Sequence, residues 1–253
     1  MSYNGEEFSR RLERLSDDTL RLISQIESKK ILYKAFDLIK TIDSEDELVE
    51  KIKEIMKGIK VVRRNFGAKA ILYPMPVLII GTYDEDGNSN AMNAAWAGIS
   101  EETQISICVD AGHKTAKNVV KTGAFTVSVA DAMNVFSCDY VGVVSGKEEP
   151  NKIKKAGWHV TKSEFVNAPL FDELPLALEC KLISYDEETC RLIGEIINVC
   201  ADEEILDENS KIDLSKFNPI TYDPVHHVYR KLGEFAGKAF NDGMKIKQAT
   251  KNI

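Results

Sequence analysis

The 253-residue chain predicts a mainly β fold with some helix: an antiparallel barrel preceded by a helical extension. Three observations point there. Up to about residue 60, apolar side chains recur at helical spacing, whereas beyond Arg63 the pattern becomes that of short strands. Tight turn signals separate those strands, and few of the intervening stretches are long enough for crossover helices. A doubly wound sheet would instead alternate strands with long helices, and closing into a barrel removes the edges of an antiparallel sheet.

The helical extension comes first. Phe8, Leu12 and Leu15 fall at i, i+4 and i+7, and Leu20, Ile23, Leu32, Phe36 and Ile39 continue helical spacing. Ser44, with Glu47 three residues on, reads as a capping box. It opens a segment carrying Leu48, Val49, Ile52, Ile55, Met56 and Ile59 on one face. Gly58, Lys60, Arg63 and Arg64 mark its end. Such stripes must be covered by their own core or by a subunit partner. Residues 1–62 are therefore expected as a helical N-terminal extension and 63–253 as the barrel domain.

The barrel strands follow. "VLIIGT", Val77 to Thr82, is a short apolar strand, and Asp86-Gly87 signals a hairpin. Asn90 to Ala97 is the returning strand. Gln104 to Val109 and Phe125 to Val129 are further strands. Leu176 to Tyr185 and Cys190 to Ala201 are two long strands joined at "DEET". Short helices are expected at Thr115 to Lys121, ended by Gly123, and at Pro150 to Lys155.

Composition narrows the function classes. A net charge of −7 argues against a nucleic-acid partner. No apolar run approaches the roughly 18–20 residues of a membrane span, and the N-terminus lacks the apolar core of a signal peptide. Cys108, Cys138, Cys180, Cys190 and Cys200 are odd in number, scattered and without a CxxC pair, so buried thiols in a cytoplasmic protein are expected.

Three stretches carry chemistry. "DAGHKTAKNVVKTGAF", Asp110 to Phe125, places His113, Lys114, Lys117 and Lys121 with Thr115 and Asn118 where a helix begins after a strand. Free N–H groups at a helix start, together with these side chains, suit an anion, naturally a phosphate. An ordinary solvated helix with a Thr cap reads the same way. "DYVGVVSGKEE", Asp139 to Glu149, offers Ser145, Gly146 and Lys147. It is not a Walker A loop, because the glycine spacing is one residue short and Glu148 stands in place of Ser/Thr. A plain loop is the competing description.

"SNAMNAAWAG", Ser89 to Gly98, is a strand of small residues. Ala91, Ala94, Ala95 and Ala97 leave the backbone open to a planar ligand, Asn93 adds an amide, and Trp96 can wall or cap a ring. Close sheet packing would also use alanine. A flat ring joined to a phosphate has the shape of a flavin mononucleotide. His226-His227 are adjacent, so they diverge and do not suit one shared metal; no metal site is expected. The pairs Glu148-Glu149, Glu187-Glu188 and Glu203-Glu204 read as solvated turns, and Trp158 as core or rim.

Taken in order, "FGAKAILYPMPVLIIGTYDEDGNSNAMNAAWAG", "HKTAKNVVKTGAFTVS", "DYVGVVSGK", "NAPLFDELPLALECKL", "GEIINVCADEEIL" and "LGEFAGKAF" resemble the flavin reductase-like, FMN-binding split-barrel family, close to its flavoredoxin group. The resemblance covers some two-thirds of the chain, from about Phe66 to Phe240. It implies a six-stranded antiparallel Greek-key split barrel and a homodimer with FMN near the subunit boundary. It places Asn93, Ala94, Ala95 and Trp96 along the isoalloxazine ring. His113, Lys114, Thr115 and Asn118 would lie near the phosphate, with Ser145, Gly146 and Lys147 beside the phosphate or ring edge.

Two departures stand out. Many relatives carry Arg where this chain has Gly112-His113-Lys114, and Lys lacks the bidentate fork of Arg. Several flavoredoxins have Cys in "DYCG", where Val141 stands here. The helical extension has no counterpart in the family core. The implied activity is an oxidoreductase passing hydride from NADH or NADPH, bound transiently, to FMN and on to a second electron acceptor, with no obligate catalytic side chain. The alternative is an FMN-carrying electron-transfer protein reduced by a protein redox partner.

Overall fold

A computed structural model of the chain describes residues 10–26, 29–57 and 63–241. The chain divides into two compact units, Met1–Lys69 and Ala70–Ile253.

The first unit holds α1 (Asp17–Ser24), α2 (Lys29–Thr41) and α3 (Glu45–Lys57). Their facing stripes bury Ile23, Ile26, Ala35, Ile39, Leu48 and Ile52 in one small core, with Leu12, Leu15, Leu32, Phe36, Ile55 and Met56 packed around it. Leu20 instead lies 38% exposed. The Ser44 hydroxyl accepts from Glu47 N–H at 3.4 Å, as a capping residue should. Glu45 binds the start of α1 as well: its Oε1 accepts from Ser16 N, Ser16 Oγ and Thr19 Oγ1. Two helix beginnings thereby share one carboxylate. Phe8, Gly58, Ile59 and Lys60 fall outside the described residues.

Among its described residues the second unit has twelve strands: β1 (Met75–Pro76), β2 (Leu78–Tyr83), β3 (Ser89–Ala94), β4 (Ala97–Glu101), β5 (Gln104–Cys108), β6 (Ala124–Val129), β7 (Val160–Lys162), β8 (Pro169–Phe171), β9 (Leu176–Asp186), β10 (Arg191–Ala201), β11 (Ile220–Asp223) and β12 (Val228–Lys231). Its helices are α4 (Lys114–Thr122), α5 (Val135–Val143), α6 (Lys152–Lys155) and α7 (Leu214–Phe217). Seven strands form one antiparallel sheet in the order β3-β2-β6-β9-β10-β5-β4. Its first and last strands are joined by Ala95 and Trp96 alone. A link that short spans about 11 Å at most, so the sheet must curl until its edges meet.

Counted as one bent strand, β3 and β4 reduce the seven to six. β6 returns through α4 to lie beside β2, outside the β2–β3/β4–β5 meander, which is the Greek-key order. The expected returning strand, Asn90 to Ala97, is therefore broken: the ladder to β2 ends at Ala94, and Ala97 pairs with Ile107 of β5. The Trp96 carbonyl accepts from Cys108 N–H at 2.8 Å and pins the corner.

Inside the barrel, Leu78, Ile80, Ile105, Ile107, Phe125, Val127, Cys180 and Leu192 interdigitate. A second core, with Val77, Ile79, Ala91, Cys138, Val141, Trp158 and Phe171, covers the outer face of β2. Burial on both faces explains why "VLIIGT" is apolar without alternation. Gly194 is required at a register shift in β10, because a Cβ there would come within 2.3 Å of Phe125 Cζ. The αL Gly123 ends α4 as expected, with φ 70° and its N–H on Val119 O.

Two further expectations are corrected. Of the cysteines only Cys138 and Cys180 are buried, while Cys108 is exposed at the end of β5. The helix α5 occupies residues expected in part to be a loop. Apart from Ser137 and Asp139 its sequence is apolar on every side, so no helical period stands out. Trp158 is core, 5% exposed and 5.1 Å from the Phe171 ring. His226 turns to Asp223 and His227 to Tyr222, apart from one another.

Candidate functional site

A cleft of about 440 Å³ opens at the barrel corner, within the usual size range of small-molecule sites. One wall is β3 and the corner: Asn90, Met92, Asn93, Ala94, Ala95 and Trp96. The floor at one end is the start of α4, from Gly112 to Thr115. The opposite wall is the C-terminal end of α5 with its following loop, Val141 to Lys147, and Lys152 of α6.

Small residues bring these elements together. A Cβ on Gly142 would sit 2.8 Å from Asn93 Cβ, and one on Gly146 would sit 2.2 Å from Asn90 Oδ1. Helix α5 can thus lie almost directly on β3. Asn93 Nδ2 donates to Cys138 O at 3.0 Å, and Tyr229 OH donates to Asp139, which holds the helix in place.

The α4 end is electropositive. Its N-cap, His113, makes no side-chain capping bond, so the first-turn N–H groups have no side-chain cap at the end where Gly112 to Thr115 line the cleft. Thr115 is buried and its Oγ accepts from Asn90 Nδ2 at 3.0 Å. Lys114 is ion-paired with Asp84 at 3.0 Å. Burial pushes the Asp84 carboxyl up, but the Lys114 ammonium and the Asn88 amides outweigh it and hold the carboxyl below its usual range. Lys147 Nζ folds back onto Gly112 O at 2.8 Å.

The residues singled out from sequence, Asn93, Ala94, Ala95, Trp96, His113, Lys114, Thr115, Ser145, Gly146 and Lys147, all line this one cleft. Asn118 does not: it is buried one turn further along α4, and its amide donates to Thr82 Oγ1 at 2.9 Å. Asn90, Met92, Cys108, Gly112, the Val141–Val144 stretch and Lys152 also line the cleft and were missed. Lys152 lies in "NKIKK", where a lysine reads as solvated, and only tertiary burial distinguishes it.

A Greek-key barrel with this cleft at its corner defines a split barrel of the flavin reductase-like class. Residues 70–228 match the family model described as the flavin reductase like domain, and the chain belongs to that family. Among solved structures it is similar to the flavoredoxin of Desulfovibrio vulgaris (Miyazaki F), at 37% identity with a TM-score of 0.69, over 72% of this chain and 100% of that one. It is also similar to a flavoredoxin from Methanosarcina acetivorans, at 26% identity and TM-score 0.65, over 74% and 100% of the two chains. An FMN-binding domain of a flavin reductases-like enzyme from Shewanella baltica OS155 shares the fold at 19% identity and TM-score 0.59, over 64% of this chain and 88% of that one.

Proposed function

We propose that the chain binds FMN in this cleft and acts as an oxidoreductase, taking hydride from NADH or NADPH and handing electrons to a second acceptor. The observation that carries it is the pairing of an uncapped helix start with a small-residue corner in one cavity. The lining fits the cofactor: an anion site at α4, and a small-residue corner, Ala94 and Ala95, that lets a planar ring approach the wall. When bound, FMN supplies the two-electron acceptor that the protein itself lacks.

The protein's own part is binding, orientation and exclusion of water. First-turn N–H groups of α4, the Thr115 hydroxyl and the Lys114 ammonium hold the phosphate. Asn93, clamped to α5, fixes the wall beside the ring. Trp96 is 58% exposed and borders the mouth, leaving room for a nicotinamide to approach. No side chain is assigned an obligate catalytic role. A homodimer in the cytoplasm, with residues 1–62 as an accessory extension to a 63–253 barrel domain, completes the proposal.

The 37% identity to a flavoredoxin favours a second reading, an FMN-carrying electron-transfer protein reduced by a protein partner. Anaerobic mixing separates the two. Rapid bleaching of the bound flavin by NADH or NADPH supports the enzyme. A yellow protein that neither nicotinamide bleaches is the carrier, and a protein that takes up no FMN overturns both.

A further inference from the structure

Lys152 is 4% exposed yet lines the cleft. Its Nζ donates to two carbonyls at the C-terminal end of α5, Val141 O at 3.1 Å and Val144 O at 2.9 Å. Among the described residues no carboxylate pairs with it. Buried charges are ordinarily paired with an opposite charge, so this ammonium lacks a counter-ion.

Its surroundings sharpen the point. From α4 it faces Lys114, a like charge whose own carboxylate, Asp84, is already engaged. Helix α5 presents only carbonyls, and β3 presents the neutral amide of Asn90. Lys147 is turned to Gly112 O, and on α6 itself Lys155 is paired with Glu149. Burial, with Lys114 adding to it, lowers the Lys152 ammonium to about 8. A neutral amine still has two N–H groups, enough for both carbonyls. The third proton is surplus to the fold.

We infer that Lys152 is the buried counter-charge for the ligand's phosphate, selecting phosphorylated over unphosphorylated flavin and taking up a proton as the phosphate enters. This rests on the FMN reading of the cleft. A phosphomonoester has its second ionisation near 6, so above pH 8 it arrives as a dianion and the proton taken up goes to the lysine.

The test uses the full chain and the variant Lys152→Gln, whose amide keeps two donors without charge. FMN affinity should fall about 10- to 100-fold, with riboflavin affinity unchanged. Calorimetry in buffers of different ionisation enthalpy should show proton uptake with FMN in the wild type near pH 8–9, none with riboflavin, and none in Lys152→Gln. Should the variant fail to fold, wild-type uptake decides. Equal weakening of both flavins, or FMN binding without proton uptake, overturns the assignment. If the wild type takes up no flavin at all, the cofactor reading fails by itself. Inorganic phosphate then serves as the probe: proton-linked binding upholds Lys152, and its absence refutes it.

Discussion

Asn90 Nδ2 donates to Thr115 Oγ at 3.0 Å, a bond between two buried side chains that ties β3 to the first turn of α4. By accepting there, the Thr115 oxygen leaves its own O–H free to donate into the cleft. Thr115→Val removes that donor and strands the Asn90 amide. We expect a stability loss of about 1–3 kcal/mol in denaturant titration, and about tenfold weaker FMN with riboflavin little changed. Equal loss for both ligands would contradict the phosphate end assigned to α4.

Gly146→Ala acts on the same bond from the other side. The added methyl would sit 2.2 Å from Asn90 Oδ1, so Asn90 must swing away from Thr115. Overpacking of this kind costs about 1–3 kcal/mol. Fluorescence titration should show weaker FMN binding. An Asn90→Ala background should remove most of the added effect, because the clash is then gone; undiminished loss in that double variant would disprove the coupling.

Ala95→Leu tests the ring end. The corner residue lines the cleft, and a leucine there projects into the space assigned to the isoalloxazine. FMN and riboflavin should both weaken while the circular dichroism spectrum holds. Unaltered affinity for either flavin would move the ring elsewhere.

Asp223 predicts an acid dependence. The Tyr73 hydroxyl beside it, together with His226, Val225 N–H and Arg230, holds its carboxyl far below the usual range despite burial. A depressed carboxyl stabilises the fold at pH values above its unfolded pKa, about 3.9, and that contribution fades as pH falls through the folded value. Wild-type stability should therefore drop steeply below about pH 4, and Asp223→Asn should flatten that limb while lowering stability at neutral pH. Parallel limbs in both proteins would remove Asp223 as the cause.

Much of this was legible in the sequence, for physical reasons that differ between segments. The long hairpin around "DEET" alternates at strand period, and α4 has a helix-ending glycine, so both declare themselves locally. Helix α5 does not: residues such as Phe136 and Val143 stay exposed although apolar, and the stripe that marks a half-buried helix is absent. The corner at Ala95–Trp96 carries no turn residue, since its bend is imposed by strand pairing on either side. The cleft residues of "NAAW" and "HKT" were found through their types. Lys152 could not be, because its type suggests solvent and its burial is decided by α5, distant from any local signal. Asn118 shows the opposite case: its type suits a ligand, but it lies outside the cleft lining and Thr82 takes its amide.

The two-residue joint between β3 and β4 has a practical corollary. A ligand lodged in the cleft would rest on β3, on the joint itself and on Cys108 of β5, a rivet in the barrel wall. A chain made where the rivet is scarce would hold its joint loosely and bare two strand margins, the surfaces through which sheets recruit one another. Supplying flavin during expression should thus raise soluble yield as well as colour, and melting of the barrel and escape of the pigment should coincide.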